Sequence, residues 1–148
     1  MIDRFQEILN ELGRVFNLEL QVDKHHACSI QVSEHLTVQL QIDASQESLF
    51  LFAKIIEIPP GKFRENVLRE ALKANALPDP RTGIFGYIAQ TNQLALFQRY
   101  PLEMLNGDRL AGLLGAFLEF GDNWHKAISN GEPAPQNIAA APRPFGMK

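Results

Sequence analysis

The segment from residue 36 to residue 42 alternates strictly between apolar and polar side chains. The apolar positions are Leu36, Val38, Leu40 and Ile42, and the polar positions between them are Thr37, Gln39 and Gln41. A period of two is typical of a β-strand with one buried face and does not fit an amphipathic helix. The fold must therefore contain a sheet that lies with one face against a core.

Further strands are predicted on both sides of this segment. Residues 28–33 alternate in the same way and are separated from it by Glu34-His35, which predicts an antiparallel hairpin. Residues 48–58 are apolar on both sides of the strand, a pattern that favours a strand covered on both faces. Two more strands are predicted over 83–89 and 94–100.

Apolar residues at helical spacing predict three helices. The first covers residues 3–16, the second begins at Phe63 and ends before Pro78, and the third runs from an Asn106 cap to about Ser129. The predicted order is therefore α-β-β-β-α-β-β-α, a single α+β domain with an antiparallel sheet packed with helices. This domain is assigned to residues 1–131, and residues 132–148 are predicted to form a flexible Pro/Ala-rich tail.

Composition excludes several classes of protein. The chain has 148 residues, of which 45% are hydrophobic, and a net charge of −3, so no nucleic-acid partner is expected. The single cysteine, Cys28, cannot form an intramolecular disulfide. No stretch has the roughly 18 apolar residues that a membrane span requires. We therefore expect a cytoplasmic protein without a membrane span.

No arrangement of side chains in the sequence predicts catalysis. The only cluster of metal-ligand types is His25-His26-Ala27-Cys28, which is short of the four ligands of a zinc site. Cys28 lies at an apparent core position, where a small buried thiol is the simpler interpretation. We expect no catalytic residue, no metal and no cofactor.

Large apolar side chains are more numerous than one small domain needs. A single sheet with helices on one face leaves part of its other face apolar, and such patches normally bind a partner. The partner can be a second copy, another protein or a ligand.

Several short stretches, taken with the order of elements, resemble the class I type III secretion chaperones of the Tir chaperone (CesT/SycE-like) family. The similar stretches are Ala27-Cys28-Ser29-Ile30, residues 63–67 with Ala71-Leu72, Gly86-Tyr87 with Asn92-Gln93-Leu94, residues 105–111, and Trp124 with residues 128–132. The similarity is closest to chlamydial chaperones of the secretion plug or gatekeeper protein.

The resemblance implies a bacterial cytoplasmic chaperone with no enzymatic activity. It would bind the N-terminal segment of a secreted effector or gatekeeper protein in extended form, keep it soluble and deliver it to the secretion ATPase. It implies a homodimer, or a heterodimer with a related chaperone. The residues implied for client binding are Phe5, Leu9, Leu12, Ile30, Val32, Val38 and Leu40. Those implied for the dimer interface are Phe63, Val67, Leu68, Phe85 and Tyr87.

Two other functions stay open at this point. One is a regulatory protein that sequesters a transcription-related partner. The other is a small-ligand-binding module in which the apolar sheet face forms a pocket.

Overall fold

The computed structural model describes residues 4–78 and 81–136. The helices are α1 (Arg4–Phe16), α2 (Lys62–Asn75) and α3 (Gly107–Ser129), and the strands are β1 (Ala27–Ser33), β2 (Leu36–Ile42), β3 (Ser48–Glu57), β4 (Ile84–Ile88) and β5 (Gln93–Pro101). A short 3₁₀ helix, Leu102–Met104, joins β5 to α3. The predicted α-β-β-β-α-β-β-α order and the α+β class are confirmed.

The five strands form one antiparallel sheet in the order β1-β2-β3-β5-β4. The hairpin of β1 and β2 lies at one end of the sheet, and β4 is the edge strand at the other end. Helix α2 connects β3 to β4 and packs on β4, while α1 packs on α3 and α3 packs on β3. We call the sheet face covered by α3 the inner face and the opposite one the outer face.

The core lies between the inner face and the helices. Gly121 of α3 sits directly over the sheet, because a Cβ there would lie 3.0 Å from Cδ1 of Ile55 and 3.7 Å from Cδ2 of Leu96. Near β4, Trp124 of α3 packs on Phe85 with ring centroids 4.4 Å apart. Alternation within each strand therefore directs Leu96 and Phe85 inwards and their chain neighbours outwards.

The ends of the helices follow from local sequence. The Asn106 side chain caps α3 by accepting a hydrogen bond from the N–H of Arg109 at 2.8 Å. Helix α1 ends where the N–H of Leu18 donates to the carbonyl of Gly13 at 2.8 Å. A side chain at Gly13 would collide with the carbonyl of Leu18, so only glycine allows the chain to turn this tightly.

The interpretation that β3 is covered on both faces is wrong for the single chain. Its inner residues, such as Leu49 and Leu51, are fully buried, but Phe50 on the outer face is 37% exposed. Helix α3 covers the inner face, whereas the apolar residues on the other side of β3 are half-buried or exposed.

Residues 132–136 extend beyond α3 and remain close to it. The N–H of Glu132 donates to the carbonyl of Ala127 at 2.9 Å, and Ala134 packs against the core. The rest of the predicted tail, residues 137–148, lies outside the described residues. Within the described ranges, no helix has both the length and the apolar character needed to cross a membrane.

Candidate functional site: the β1 edge and the outer face of the sheet

The main-chain groups of β1 divide between its partner strand and the open edge of the sheet. The carbonyl of His26 accepts from the N–H of Ile42 at 3.3 Å, so His26 faces β2. Ala27 faces the other way, because its N–H donates to Oδ1 of Asp23 and its carbonyl accepts from the N–H of Asp23. In an antiparallel ladder this alternation continues along the strand. The N–H and C=O groups of Ser29 and Gln31 therefore point out of the sheet.

The edge at Ser29 and Gln31 is free to pair with another strand. Within residues 4–78 and 81–136, no main-chain hydrogen bond joins these two residues to a segment beyond β1. Their side chains are exposed, whereas the alternate residues Cys28 and Ile30 point into the core. An added strand would find unpaired donors and acceptors here, as in β-augmentation.

Asp23 fixes the beginning of this edge. Its carboxylate accepts from the N–H of His25 at 2.7 Å and from the N–H of Ala27 at 3.1 Å. The hydrogen bonds from Ala27 and then from His25 lower the pKa of Asp23 below its ordinary value. The charged carboxylate therefore holds the turn that leads into β1.

The outer face of the sheet carries a group of neighbouring phenylalanines. Phe52 lies opposite Phe97 of β5, and Phe50 lies opposite Arg99, whose guanidinium carbon is 5.8 Å from the centre of the Phe50 ring. Phe97 is 39% exposed. Because these partly exposed rings lie side by side on adjacent strands, they form an apolar patch on the protein surface.

Glutamines border the phenylalanines on the β2 side. Gln41 lies opposite Phe50 and Gln39 opposite Phe52. The three residues Gln39, Phe52 and Phe97 line one groove of about 320 Å³. A second groove of about 510 Å³ continues past Gln39 to Lys54 and to Ser29 on the edge strand. The outer face therefore links an apolar patch to the open edge.

The residues implied for client binding are mostly inside the protein. The core of the chain buries six of them: Phe5, Leu9, Leu12, Ile30, Val38 and Leu40. Only Val32, which is 47% exposed, is at the surface. Sequence patterns place these residues on the apolar faces of their elements, and those faces pack on one another.

The residues implied for the dimer interface divide in the same way. Val67 and Phe85 are buried in the chain's own core, Phe63 and Leu68 are half-buried, and Tyr87 is exposed. Leu72, which the resemblance did not assign to an interface, is 69% exposed on α2. It lies one helical turn from Leu68, so the two leucines form an apolar row on the surface of α2.

The chemistry-bearing residues of the first hairpin do not converge. His25 and His26 are exposed, whereas Cys28 is buried, and burial raises the pKa of its thiol. In the part of the chain that the structure describes, no group of three or more His, Cys, Asp or Glu side chains is arranged so that it could hold a metal ion. The prominent features of this region are thus an open strand edge and an apolar surface.

The solved structures similar to this chain include chaperones in complex with other proteins. The HopA1–SchA chaperone–effector complex matches 86% of this chain and 100% of the solved chain, with a TM-score of 0.67 and 21% identity. The Yersinia pestis type III secretion chaperone SycH, solved with a fragment of YscM2, matches 79% of this chain and 96% of its own, with a TM-score of 0.65 and 15% identity. The ExsC–ExsE complex matches 82% and 90%, with a TM-score of 0.62 and 20% identity.

Sequence comparison gives the family directly. No curated protein matches the chain by sequence. The model of the Tir chaperone protein (CesT) family, however, matches residues 7–125, from α1 to the last third of α3. This match covers most of the chain and every strand of the sheet, and the chain therefore belongs to the Tir chaperone (CesT) family.

Proposed function

We propose that this protein is a type III secretion chaperone that binds an extended segment of a secreted effector or gatekeeper protein and performs no chemistry itself. The observation that carries the proposal is the open edge at Ser29 and Gln31, which adjoins the groove leading to the outer face. Membership of the CesT family supports it. The client would be kept soluble in the cytoplasm and delivered to the secretion ATPase.

Binding would combine main-chain pairing with apolar contacts. A client strand alongside β1 satisfies the free groups of Ser29 and Gln31, and its continuation can cross the glutamine and phenylalanine rows of the outer face. Both grooves there are partly open to solvent and neither is a closed cavity, which favours a polypeptide over a small ligand. Part of the interaction energy would offset the client's ordering entropy.

The seven residues implied by the resemblance enter this proposal in two ways. Val32 is available for direct contact at the open edge, because it is exposed on β1. The buried six would act by shaping the core that holds β1 and β2 in place. The surface contacts we propose in addition are Phe50, Phe52 and Phe97.

We also propose that the protein is a homodimer, with a heterodimer with a related chaperone as the alternative. The row of half-buried Leu68 and exposed Leu72 on α2, which packs on the strand that carries Tyr87, supports an interface on this side of the molecule. Val67 and Phe85 would support that interface from beneath.

Strand pairing at β1 can be tested by removing one outward N–H. Ser29→Pro deletes a donor that the sheet itself does not use, and proline is tolerated on edge strands. Ser29→Ala is the matched control, since it removes the hydroxyl and keeps the N–H. Each variant is co-expressed with N-terminal fragments of secreted proteins from the same bacterium, and co-purification and circular dichroism are measured. We expect Ser29→Pro to lose the client and to stay folded; equal retention by both folded variants would contradict pairing at β1.

A further inference from the structure

A cluster of polar side chains joins the tip of the β1–β2 hairpin to β3 and α3. His35, in the turn between β1 and β2, stacks on His125 of α3 with ring centroids 3.9 Å apart and planes 7° apart. Nε2 of His35 lies 3.3 Å from Oδ1 of Asp122, and Nδ1 of His125 lies 2.7 Å from the carbonyl oxygen of Ile55. We call His35, His125 and Asp122 the histidine clamp.

The acceptors in the clamp determine which ring nitrogens carry protons. A carboxylate and a carbonyl can only accept, so Nε2 of His35 and Nδ1 of His125 must each donate. Asp122 is ionised, because the ammonium group of Lys126 at 2.9 Å, and also His35, hold its pKa below the ordinary value against the effect of burial. Each ring keeps one unprotonated nitrogen. Adding a proton there breaks neither the hydrogen bond to Asp122 nor the one to Ile55.

The carbonyl bound by His125 belongs to a residue that the register of the sheet skips. The register between β3 and β5 shifts between Lys54 and Ile56, and the pairing of β2 with β3 ends at Ala53. Ile55 lies in this irregularity, and the imidazole of His125 supplies the donor that the ladder omits. The clamp therefore secures the bulge in β3 as well as the tip of the hairpin.

The charges around the stack allow one added proton and oppose a second. Asp122 is the carboxylate in contact with His35, and it is shared with Lys126. The other charged groups nearby are Lys54 and Glu57 of β3, which line the same groove, and Glu34 beside His35 in the turn. One imidazolium is compensated by Asp122, whereas two would face each other at 3.9 Å with only that carboxylate in contact.

We propose that the histidine clamp is a pH-sensitive device that holds the hairpin on α3 while at most one ring is charged and releases it when both are. Imidazole is the side chain that gains its proton between about pH 5 and 8. Coupled rings take up their protons in two separate steps. Because β1 is the hairpin strand with the open edge, release would also loosen the client site, and this consequence rests on the proposed function.

The direction of the pH dependence follows from proton linkage. Two charged rings repel each other in the folded state, which holds them 3.9 Å apart, whereas in the unfolded chain they are separated. Stability therefore rises with pH where the unfolded state holds more protons, and it falls on acidification through that range.

NMR on the client-free protein tests the coupling, since the chain has only four histidines. The expected result is that His35 and His125 titrate in two separate steps in the wild-type protein, and that His35 titrates in a single step in His125→Gln, which can keep a donor for Ile55. The bare nitrogens should be Nδ1 of His35 and Nε2 of His125. Independent single-step titration of both rings in the wild type would overturn the clamp.

Hydrogen exchange tests the release. After correction for intrinsic rates, amide exchange near the hairpin tip should increase at least tenfold between pH 7.5 and pH 5 in the wild type. His35→Phe keeps a stacked ring but removes one charge, so the increase should disappear, whereas His25→Phe, at the other end of the hairpin, should retain it. An equal increase in His35→Phe and wild type, or none in wild type, would refute the device. No client is involved, so this outcome is independent of the proposed function.

Discussion

The side-chain amide of Asn75 pairs with both main-chain groups of Phe85. Its Nδ2 donates to the Phe85 carbonyl at 3.0 Å, and its Oδ1 accepts from the Phe85 N–H at 2.8 Å. Asn75 is the last residue of α2, and Phe85 lies in the edge strand β4. The amide takes the place that another strand would occupy, so this edge is closed at Phe85 while the edge at Ser29 is open.

Removing this amide should weaken the fold and open a second edge. In Asn75→Ala the N–H and C=O of Phe85 lose their partners, which we expect to lower the free energy of unfolding by about 1–3 kcal/mol. The measurement is urea denaturation followed by the fluorescence of Trp124, the only tryptophan. Sedimentation should show additional self-association. Asn66→Ala on the same helix is the control, and an equal effect of both substitutions would contradict the role of Asn75.

Charge substitutions on α2 should separate dimerisation from folding. Leu72 is exposed and Val67 is fully buried. Leu72→Glu is expected to keep its circular dichroism spectrum and weaken the dimer by about two orders of magnitude, roughly 3 kcal/mol. Val67→Glu places a carboxylate in the core and should unfold the protein. Analytical ultracentrifugation at several concentrations measures both, and a Leu72→Glu dimer as tight as wild type would exclude this surface.

Truncation on the outer face should weaken client binding without unfolding the chain. Phe97→Ser removes an exposed aromatic ring from the phenylalanine patch, and we expect about a tenfold loss of affinity, near 1.4 kcal/mol. Met104→Ser is the control, because Met104 is equally exposed but lies in the 3₁₀ helix beyond β5. Affinity is measured by calorimetry with a co-purifying client fragment. If both variants bind equally, the client avoids this face.

The turn before β1 should loosen in acid. The pKa of Asp23 is lowered in the folded protein, first by the Ala27 N–H and then by the His25 N–H. Its stabilising effect is therefore complete above the ordinary carboxyl value of about 3.9 and is lost as the pH falls through the lower folded value. Asp23→Asn should be less stable than wild type at neutral pH, and the difference should vanish in strong acid. A constant difference across this range would exclude an effect of charge.

Sequence patterns predict the elements well because each depends on short-range periodicity. The alternation from Leu36 to Ile42 predicts β2 and its buried face correctly. Asn106 marks the start of α3, because its side chain accepts a hydrogen bond from the first turn of that helix. In the same way, apolar residues at helical spacing, such as Phe5 and Leu9, predict the buried face of α1. What periodicity does not provide is the partner of each apolar face. Six of the seven residues that the resemblance implies for client binding are buried in the core of the single chain, and only Val32 is exposed.

The remaining features arise from residues far apart in the chain. In β3 both sides of the strand are apolar, so no pattern shows that Leu51 is inside and Phe50 outside until α3 takes its place. His35 and His125 are separated by most of the chain and meet only when the hairpin tip reaches α3. The open edge at Ser29 depends on which residues face β2, a register that sequence alone does not determine.

The outer face would place few requirements on the sequence of a polypeptide bound to it. Gln39 and Gln41 can each donate or accept, and the neighbouring rings of Phe50 and Phe52 accommodate apolar groups of many shapes. The main-chain groups at Ser29 pair with any residue except one that lacks an N–H. A surface of this kind would select polypeptides by length and composition rather than by a fixed sequence motif. Unrelated sequences could therefore bind it equally well.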